Sequence, residues 1–184
     1  MTVEAELVAR ARQGDEDAFS RLVASAGARL HAVAYRILRD PDLAEDATQQ
    51  ALLAIWKDLP RLRDPERFDA WSYRLLVRAC YRAARESRHW TPDFHLLPTD
   101  RPTGADEMTR IIDRDEIERA FRRLSVDHRV VVVLRHYMDM PLDKVADALG
   151  VPVGTVRSRL HYALRALRAS LEADARPMAQ EMAR

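Results

Sequence analysis

The chain has 184 residues and sets 30 Lys and Arg against 29 Asp and Glu, a formal net charge of +1, so its bulk charge selects no class of partner. That length suits one large or two small domains. Its one cysteine excludes an intramolecular disulfide and a cysteine-rich zinc site, and the six histidines have no HExxH spacing, so no metal, cofactor or catalytic set is expected. No apolar run approaches a membrane span, and the start MTVEAELVAR lacks a basic-then-apolar signal pattern, so the expected location is cytoplasmic, with no membrane partner.

Charge becomes informative once it is divided along the chain. Residues 1–60 hold 7 basic and 10 acidic side chains, 61–90 hold 8 and 4, 91–118 hold 3 and 8, and 119–171 hold 10 and 4. Two basic surfaces separated by acidic chain can touch nucleic acid twice and leave other faces for a protein partner.

Helical spacing recurs throughout, alternating patterns are absent and glycines number only five, so the expected fold class is all-α. A first helix is expected over Val3 to Gln13 with Gly14 as its stop, then a longer one capped by Asp15 or Asp17 and running through Leu22, Leu30, Val33, Ile37 and Leu38. Asp40-Pro41-Asp42 reads as N-cap, first-turn proline and early acid, opening a helix through Leu43, Ala47, Leu52, Ile55, Trp56 and Leu59. Asp64-Pro65 repeats the start signal. From there Phe68, Trp71, Leu75 and Leu76 mark the core face of an arginine-rich helix reaching Ser87.

This second start lies inside the first basic block. Arg61, Arg63 and Arg67 fall in a loop-like stretch, with Tyr73, Arg74, Arg78, Tyr81 and Arg82 on the helix that follows. Guanidiniums that track phosphates, interleaved with rings that hold unstacked bases, suit a single strand. Phe68 and Trp71 are assigned to the core. Cys80, alone on this helix, reads as a small packing residue rather than a redox sensor.

Residues 88–112 hold three prolines and a glycine without sustained periodicity, which marks a flexible linker between two small helical domains, 1–87 and 113–173. The second domain is expected to hold a helix from Asp115 to Leu124, a buried helix through Val130, Val131, Val133, Leu134 and Tyr137 capped by Ser125 or Asp127, and a helix-turn-helix. Residues 174–184 read as a disordered tail.

The segment LDKVADALGVPVGTVRSRLHYALRAL carries the most functional information. Leu142, Val145, Ala146 and Leu149 form one helical stripe, Gly150 stands where a tight turn wants positive φ, and Pro152 sits where a helix start tolerates a missing N–H. From Val153 onward, Val156, Leu160, Ala163, Leu164, Leu167 and Leu171 fall within roughly a 100° arc. The opposite surface presents Thr155, Arg157, Ser158, Arg159, His161, Tyr162 and Arg165 with no acid before Glu172. Arginine forks onto guanine edges while hydroxyls hold phosphates, so this face suits a DNA groove.

With these residues in hand, the chain resembles bacterial RNA polymerase sigma factors of the extracytoplasmic-function (ECF) group, over about Asp15 to Ser87 and Glu118 to Leu171. DPDLAEDATQQALLAIW is similar to the region 2 helix that binds the polymerase clamp, FDAWSYRLLVRACYRAAR to the segment that engages the minus-10 element, and LSVDHRVVVVLRHYMDMPLDKVADALGVPVGTVRSRLHYALRAL to region 4, which reads minus-35. The resemblance implies a dissociable promoter-specificity subunit, not an enzyme, that binds core RNA polymerase at clamp and flap, reads promoter DNA at both elements, and assists strand opening. It implies clamp contact by Asp42, Glu45, Asp46, Gln49 and Gln50, the last standing where the family commonly has an acid. It implies minus-10 contact by the first basic block, with the Arg61 to Glu66 loop capturing a flipped base, and minus-35 contact by the second block. Arg78 replaces a customary Asn and Ser72 a customary Leu. It also implies that part of the Val130 to Tyr137 helix faces the flap, and that an anti-sigma protein is a possible partner. The alternative is a stand-alone helix-turn-helix regulator whose N-terminal half senses a ligand or dimerises.

Overall fold

The structure is a computed structural model that describes residues 3–87 and 116–181. The expected linker, 88–112, and Asp115 lie outside the described residues. Eight α-helices and no strand occur among those described: α1 (Val3–Arg12), α2 (Glu16–Leu38), α3 (Pro41–Asp58), α4 (Phe68–Ser87), α5 (116–122), α6 (Val126–Val132), α7 (Leu142–Leu149) and α8 (Val153–Glu181). Two 3₁₀ turns, Leu59–Arg61 and Pro65–Arg67, join α3 to α4.

Local chemistry places the helix starts where the sequence pattern puts them. The Asp15 side chain accepts from the Ala18 N–H at 2.9 Å and opens α2, while Gly14, at φ +92°, turns the chain out of α1. The Ala18 N–H first, then Arg10, hold the Asp15 carboxyl below the usual carboxylate range. Asp40 accepts from Leu43 N–H at 2.9 Å with Pro41 in the first turn of α3, and Ser125 accepts from His128 N–H at 3.3 Å to open α6. The Asp64-Pro65 start begins as a 3₁₀ turn before α4 takes over at Phe68.

Core packing in the first half is led by small residues. Ala44, Ala47, Thr48, Ala51 and Ile55 form the buried face of α3, which lies against α2 and α4. Side chains this short let helix axes approach closely, and the Thr48 hydroxyl donates to the Ala44 carbonyl at 2.6 Å, so no polar atom there is left bare. On α4, Phe68, Ser72, Tyr73, Leu76, Val77, Ala79, Cys80 and Ala83 are buried. At 100° per residue these cover roughly half the helix circumference, wider than a one-sided stripe. The reason is a second neighbour: α4 packs against α3 on one side and α7 on the other.

The two helical sets therefore share one contiguous apolar cluster, from Val8 in α1 to Val156 in α8. Polar contacts line the seam between them. The Arg36 guanidinium sits over the Tyr137 ring at 3.6 Å, Arg39 pairs with Glu118, and Arg129 donates to the Leu38 carbonyl at 3.4 Å. Arg39 ends α2 at φ +61°, a backbone conformation unusual for arginine, and its N–H caps Tyr35 O at 2.8 Å. Burial lowers its pKa to about 10.

After α6 the chain widens into a π-turn over Val133–Tyr137, closed by Met138 N–H to Val133 O at 3.0 Å. Gly150 then makes the α7–α8 turn at φ +67°, with its N–H on Ala146 O at 2.8 Å. One expectation is corrected at the C-terminus: the backbone over 174–181, read as a disordered tail, continues α8 to Glu181.

Cys80 is fully buried and its thiol is pushed up to about 12 by desolvation. Native protein at pH 8 should therefore resist an aromatic disulfide reagent that reacts fully once guanidinium unfolds the chain. Labelling of the folded protein within the mixing time would contradict this burial.

Candidate nucleic-acid interface

The second basic surface is built by the turn at Gly150, which aims the start of α8 away from the core. Val156 and Ala163 are buried beneath it, whereas Leu164, expected in the apolar arc, is 44% exposed. It is corrected to the outer face, because the α6 and α7 wall that α8 packs on covers less than the full stripe. Arg157, Ser158, His161, Tyr162 and Arg165 are exposed and Thr155 is half-buried, so six of the seven residues expected here reach solvent with few ties. The Ser158 hydroxyl donates to Thr155 O at 3.0 Å and keeps its lone pairs outward, and the His161 and Tyr162 rings meet edge-on at 5.6 Å. Arg159 differs. Asp127, in the first turn of α6, holds its Nη1 at 3.0 Å.

The first basic surface is split by the fold. Arg61 and Arg67 are 86% and 71% exposed, with loose ion pairs to Asp58 and Asp64 at 3.6 and 3.7 Å that contribute little. Arg63 is also exposed. On α4, Arg78 and Arg82 are exposed and, with Tyr81, Arg85 and Glu86, line an open concavity of about 460 Å³. Tyr73 and Arg74 are not presented in this way, and Tyr81 lines the concavity with its hydroxyl already engaged. Tyr73, expected to face DNA, is 3% exposed with its hydroxyl 3.9 Å from the Met138 sulfur. Arg74 donates to the Asp147 carbonyl from Nε at 3.0 Å and from Nη2, and the Tyr81 hydroxyl donates to Asp127 Oδ1 at 2.8 Å. Burial first, then Asp127, pushes the Tyr81 phenol well above its ordinary value. The correction has a simple cause: α7 and α6 cover this edge of α4.

A third surface lies on α3. Asp42, Glu45, Asp46 and Gln49 are exposed, with Gln49 donating to Glu45 at 3.3 Å, while Gln50 is half-buried and accepts from Arg82 at 3.5 Å. Leu53 and Trp56 continue the same stripe at 61% and 54% exposure, with Trp56 edge-on to Phe19 at 4.5 Å. Sequence reasoning placed Trp56 in the apolar spacing of this helix without giving it a role, and passed over Leu53. The signal was the spacing 42, 45, 46, 49, 53, 56, which is one helical face. Conversely, Val130, Val131, Val133 and Leu134, expected in part to face the polymerase flap, are all interior, and only Tyr137 is exposed, at 48%. Their face is occupied by the rest of the chain.

Among the described residues, no group of three or more His, Cys, Asp or Glu side chains is placed to hold a metal ion, and no helix is long and apolar enough to cross a membrane. Residues 22–90 match the family Sigma-70 region 2, and residues 120–169 match Sigma-70, region 4. The chain is 34% identical over 143 residues to the ECF RNA polymerase sigma factor SigL of Mycobacterium tuberculosis, a span covering 76% of this chain and 80% of that one. The chain belongs to the ECF sigma factors. Among solved structures it is similar to CnrH in complex with the cytosolic domain of CnrY, at a TM-score of 0.66 and 25% identity, covering 94% of this chain and 99% of that one. The sigma factor RpoE of Bartonella quintana, solved with the anti-sigma factor NepR, shares the fold at a TM-score of 0.66 and 21% identity, covering 85% and 98%.

As an ECF sigma factor, the protein is a transcription-initiation subunit that binds RNA polymerase and directs it to promoters. The stand-alone regulator is not favoured, since the first half of this sigma factor matches region 2 rather than a sensing domain.

Proposed function

We propose that the three surfaces divide the work of a sigma factor, with residues 1–87 acting as the region 2 unit and 113–173 as the region 4 unit. The α8 face of Thr155, Arg157, Ser158, Arg159, His161, Tyr162 and Arg165 reads the minus-35 duplex. Arg61, Arg63, Arg67, Arg78, Tyr81 and Arg82 engage the minus-10 strand and favour opening. The α3 stripe docks the polymerase clamp, its carboxylates toward basic side chains and its Leu53–Trp56 end toward apolar ones, and Tyr137 is available to the flap. The protein performs no catalysis of its own, works in the cytoplasm, and is restrained by an anti-sigma protein.

The observation that carries this reading is the pairing of two arginine-rich, acid-poor surfaces with the two matched family regions. Core polymerase plus this protein should initiate from a cognate promoter, whereas the protein alone should bind duplex only weakly and in a strongly salt-dependent way, because neither patch suffices without polymerase aligning both. Tight, sequence-specific binding by the free chain would contradict the reading.

Charge reversal isolates the clamp surface. Asp46 is exposed in the middle of the α3 stripe, on a different helix from the residues of either basic surface. Asp46→Arg should weaken assembly with core polymerase by roughly tenfold at low salt, by opposing a basic clamp face, and leave base preference in the residual holoenzyme unchanged. Co-elution across a salt series reads this out. Unaltered affinity would remove α3 from the docking surface.

A further inference from the structure

The turn from α1 into α2 and the end of α3 border a cleft of about 320 Å³ that shares no residue with either basic surface. Buried Ala11 and Leu59 line it together with the rings of Phe19 and Trp56, which meet edge-on at 4.5 Å. Trp56 is only partly covered by that contact. Its remaining surface can take another ring in an offset or edge-on arrangement.

The turn beside the cleft is tied in place by its own hydrogen bonds. Asp15 accepts from the Ala18 N–H at 2.9 Å and from Arg10 Nε and Nη2 at 2.9 and 2.7 Å, and the Gly14 N–H closes on Ala11 O at 3.1 Å. Small-molecule sites are usually preformed in this way, apolar with a few placed polar groups, and this volume lies at the small end of their range. At the roughly 30 Å³ that one water occupies in the liquid, the cleft accommodates about ten heavy atoms.

Charge around the cleft is unevenly answered. Asp15 is taken up by Arg10 and the α2 cap, whereas Arg12 lines the cleft with no ion pair among the described residues, and its Nε is buried without an acceptor. Exposed Lys57 adds a second cation against one further acid, Glu16, so positive charge is in surplus. Buried polar atoms are seldom left without a partner, and a guanidinium beside an apolar concavity is best answered by a carboxylate. An inorganic anion would satisfy the guanidinium but not the rings, and a neutral arene the reverse.

We propose that this cleft binds a small aromatic carboxylate, its ring against Phe19 and Trp56 and its charge on the Arg12 guanidinium, with Lys57 as a looser second cation. The site stands on the first half of the chain alone and does not depend on which surfaces meet promoter DNA or polymerase.

Phenylacetate has the required size and is the probe. In the full-length, nitrogen-15-labelled protein it should shift the indole N–H resonance of Trp56, assigned by its loss in Trp56→Phe, in a saturable way, and leave that of Trp71 in place. Phenylacetamide, the same shape without the charge, should bind roughly tenfold more weakly. Arg12→Gln, with unchanged far-ultraviolet circular dichroism, should weaken phenylacetate by about tenfold and leave phenylacetamide unaffected. Lys57→Gln, at an exposed position that the fold does not use, should weaken phenylacetate by about twofold to threefold, and it keeps the charge recognition testable if Arg12→Gln unfolds. No saturable shift, or a shift of Trp71 as large as that of Trp56, would overturn the site. Equal affinity for phenylacetate and phenylacetamide, or a Trp56 shift reproduced by acetate at the same concentration, would overturn the ligand class.

Discussion

Leu134→Ala is expected to lower the free energy of unfolding by about 2–5 kcal/mol, the range for deleting a large aliphatic side chain from a packed core. Leu134 is fully buried in the π-turn after α6, and its carbonyl accepts the Met140 N–H at 3.0 Å, so the backbone around it is tied and cannot easily collapse into the space left behind. It belongs to the cluster that both halves share. The substitution should therefore shift a single urea transition monitored by circular dichroism, with little change in its slope. A loss under about 1 kcal/mol would mean that the site repacks. Two resolved transitions, with only one displaced, would mean that the halves do not unfold as one unit.

The second large effect separates the two DNA surfaces. Arg165 is exposed beside Tyr162 on α8, and Arg78 is exposed on the α4 concavity of the other half. Arg165→Ala should cost about 1–3 kcal/mol of upstream-duplex affinity if its guanidinium forks onto a base edge, and it should tolerate minus-35 changes that the unmodified protein rejects. That is roughly a 5- to 150-fold loss in affinity. Arg78→Ala should instead leave closed-complex affinity nearly intact and reduce strand opening, because its role begins once a base leaves the stack. Permanganate reactivity on a normal duplex and on a template pre-melted at minus-10 distinguishes them. Pre-melting should restore the Arg78 variant and not the Arg165 variant. Equal rescue of both would abolish the division of labour.

Most of the local architecture was legible in the chain. The start at Asp40, the stop at Gly14 and the turn at Gly150 each depend on a side chain or a φ angle acting within four residues, so a one-dimensional reading finds them, and it narrows the other two caps to Asp15 or Asp17 and Ser125 or Asp127, of which Asp15 and Ser125 make the bond. The helix-turn-helix was legible for the same reason: its apolar stripe and its acid-free arginine face are both periodic patterns, and they fall on α7 and α8 as spaced. Even Val130 to Val133, a run whose composition favours strand, stays helical because a cap precedes it and helical spacing surrounds it.

The sequence by itself determined the all-α class, most of the helix starts, the two basic blocks and most of the face that α8 turns outward. Only the tertiary structure decided which of those basic and aromatic side chains are open to DNA. Periodicity identifies one buried face per helix, but α4 has two, and the second exists because α7 packs there from some seventy residues away; Arg74 and Asp147 meet across 73 positions. Apolar burial is non-directional, so nothing within α4 specifies that partner. The same long-range choice buries Tyr73, enlists Arg159 and Tyr81 on Asp127, and leaves Leu53 and Trp56 uncovered on α3. Short-range hydrogen bonds and spacing set the elements, and the packing of one half on the other sets what those elements can reach.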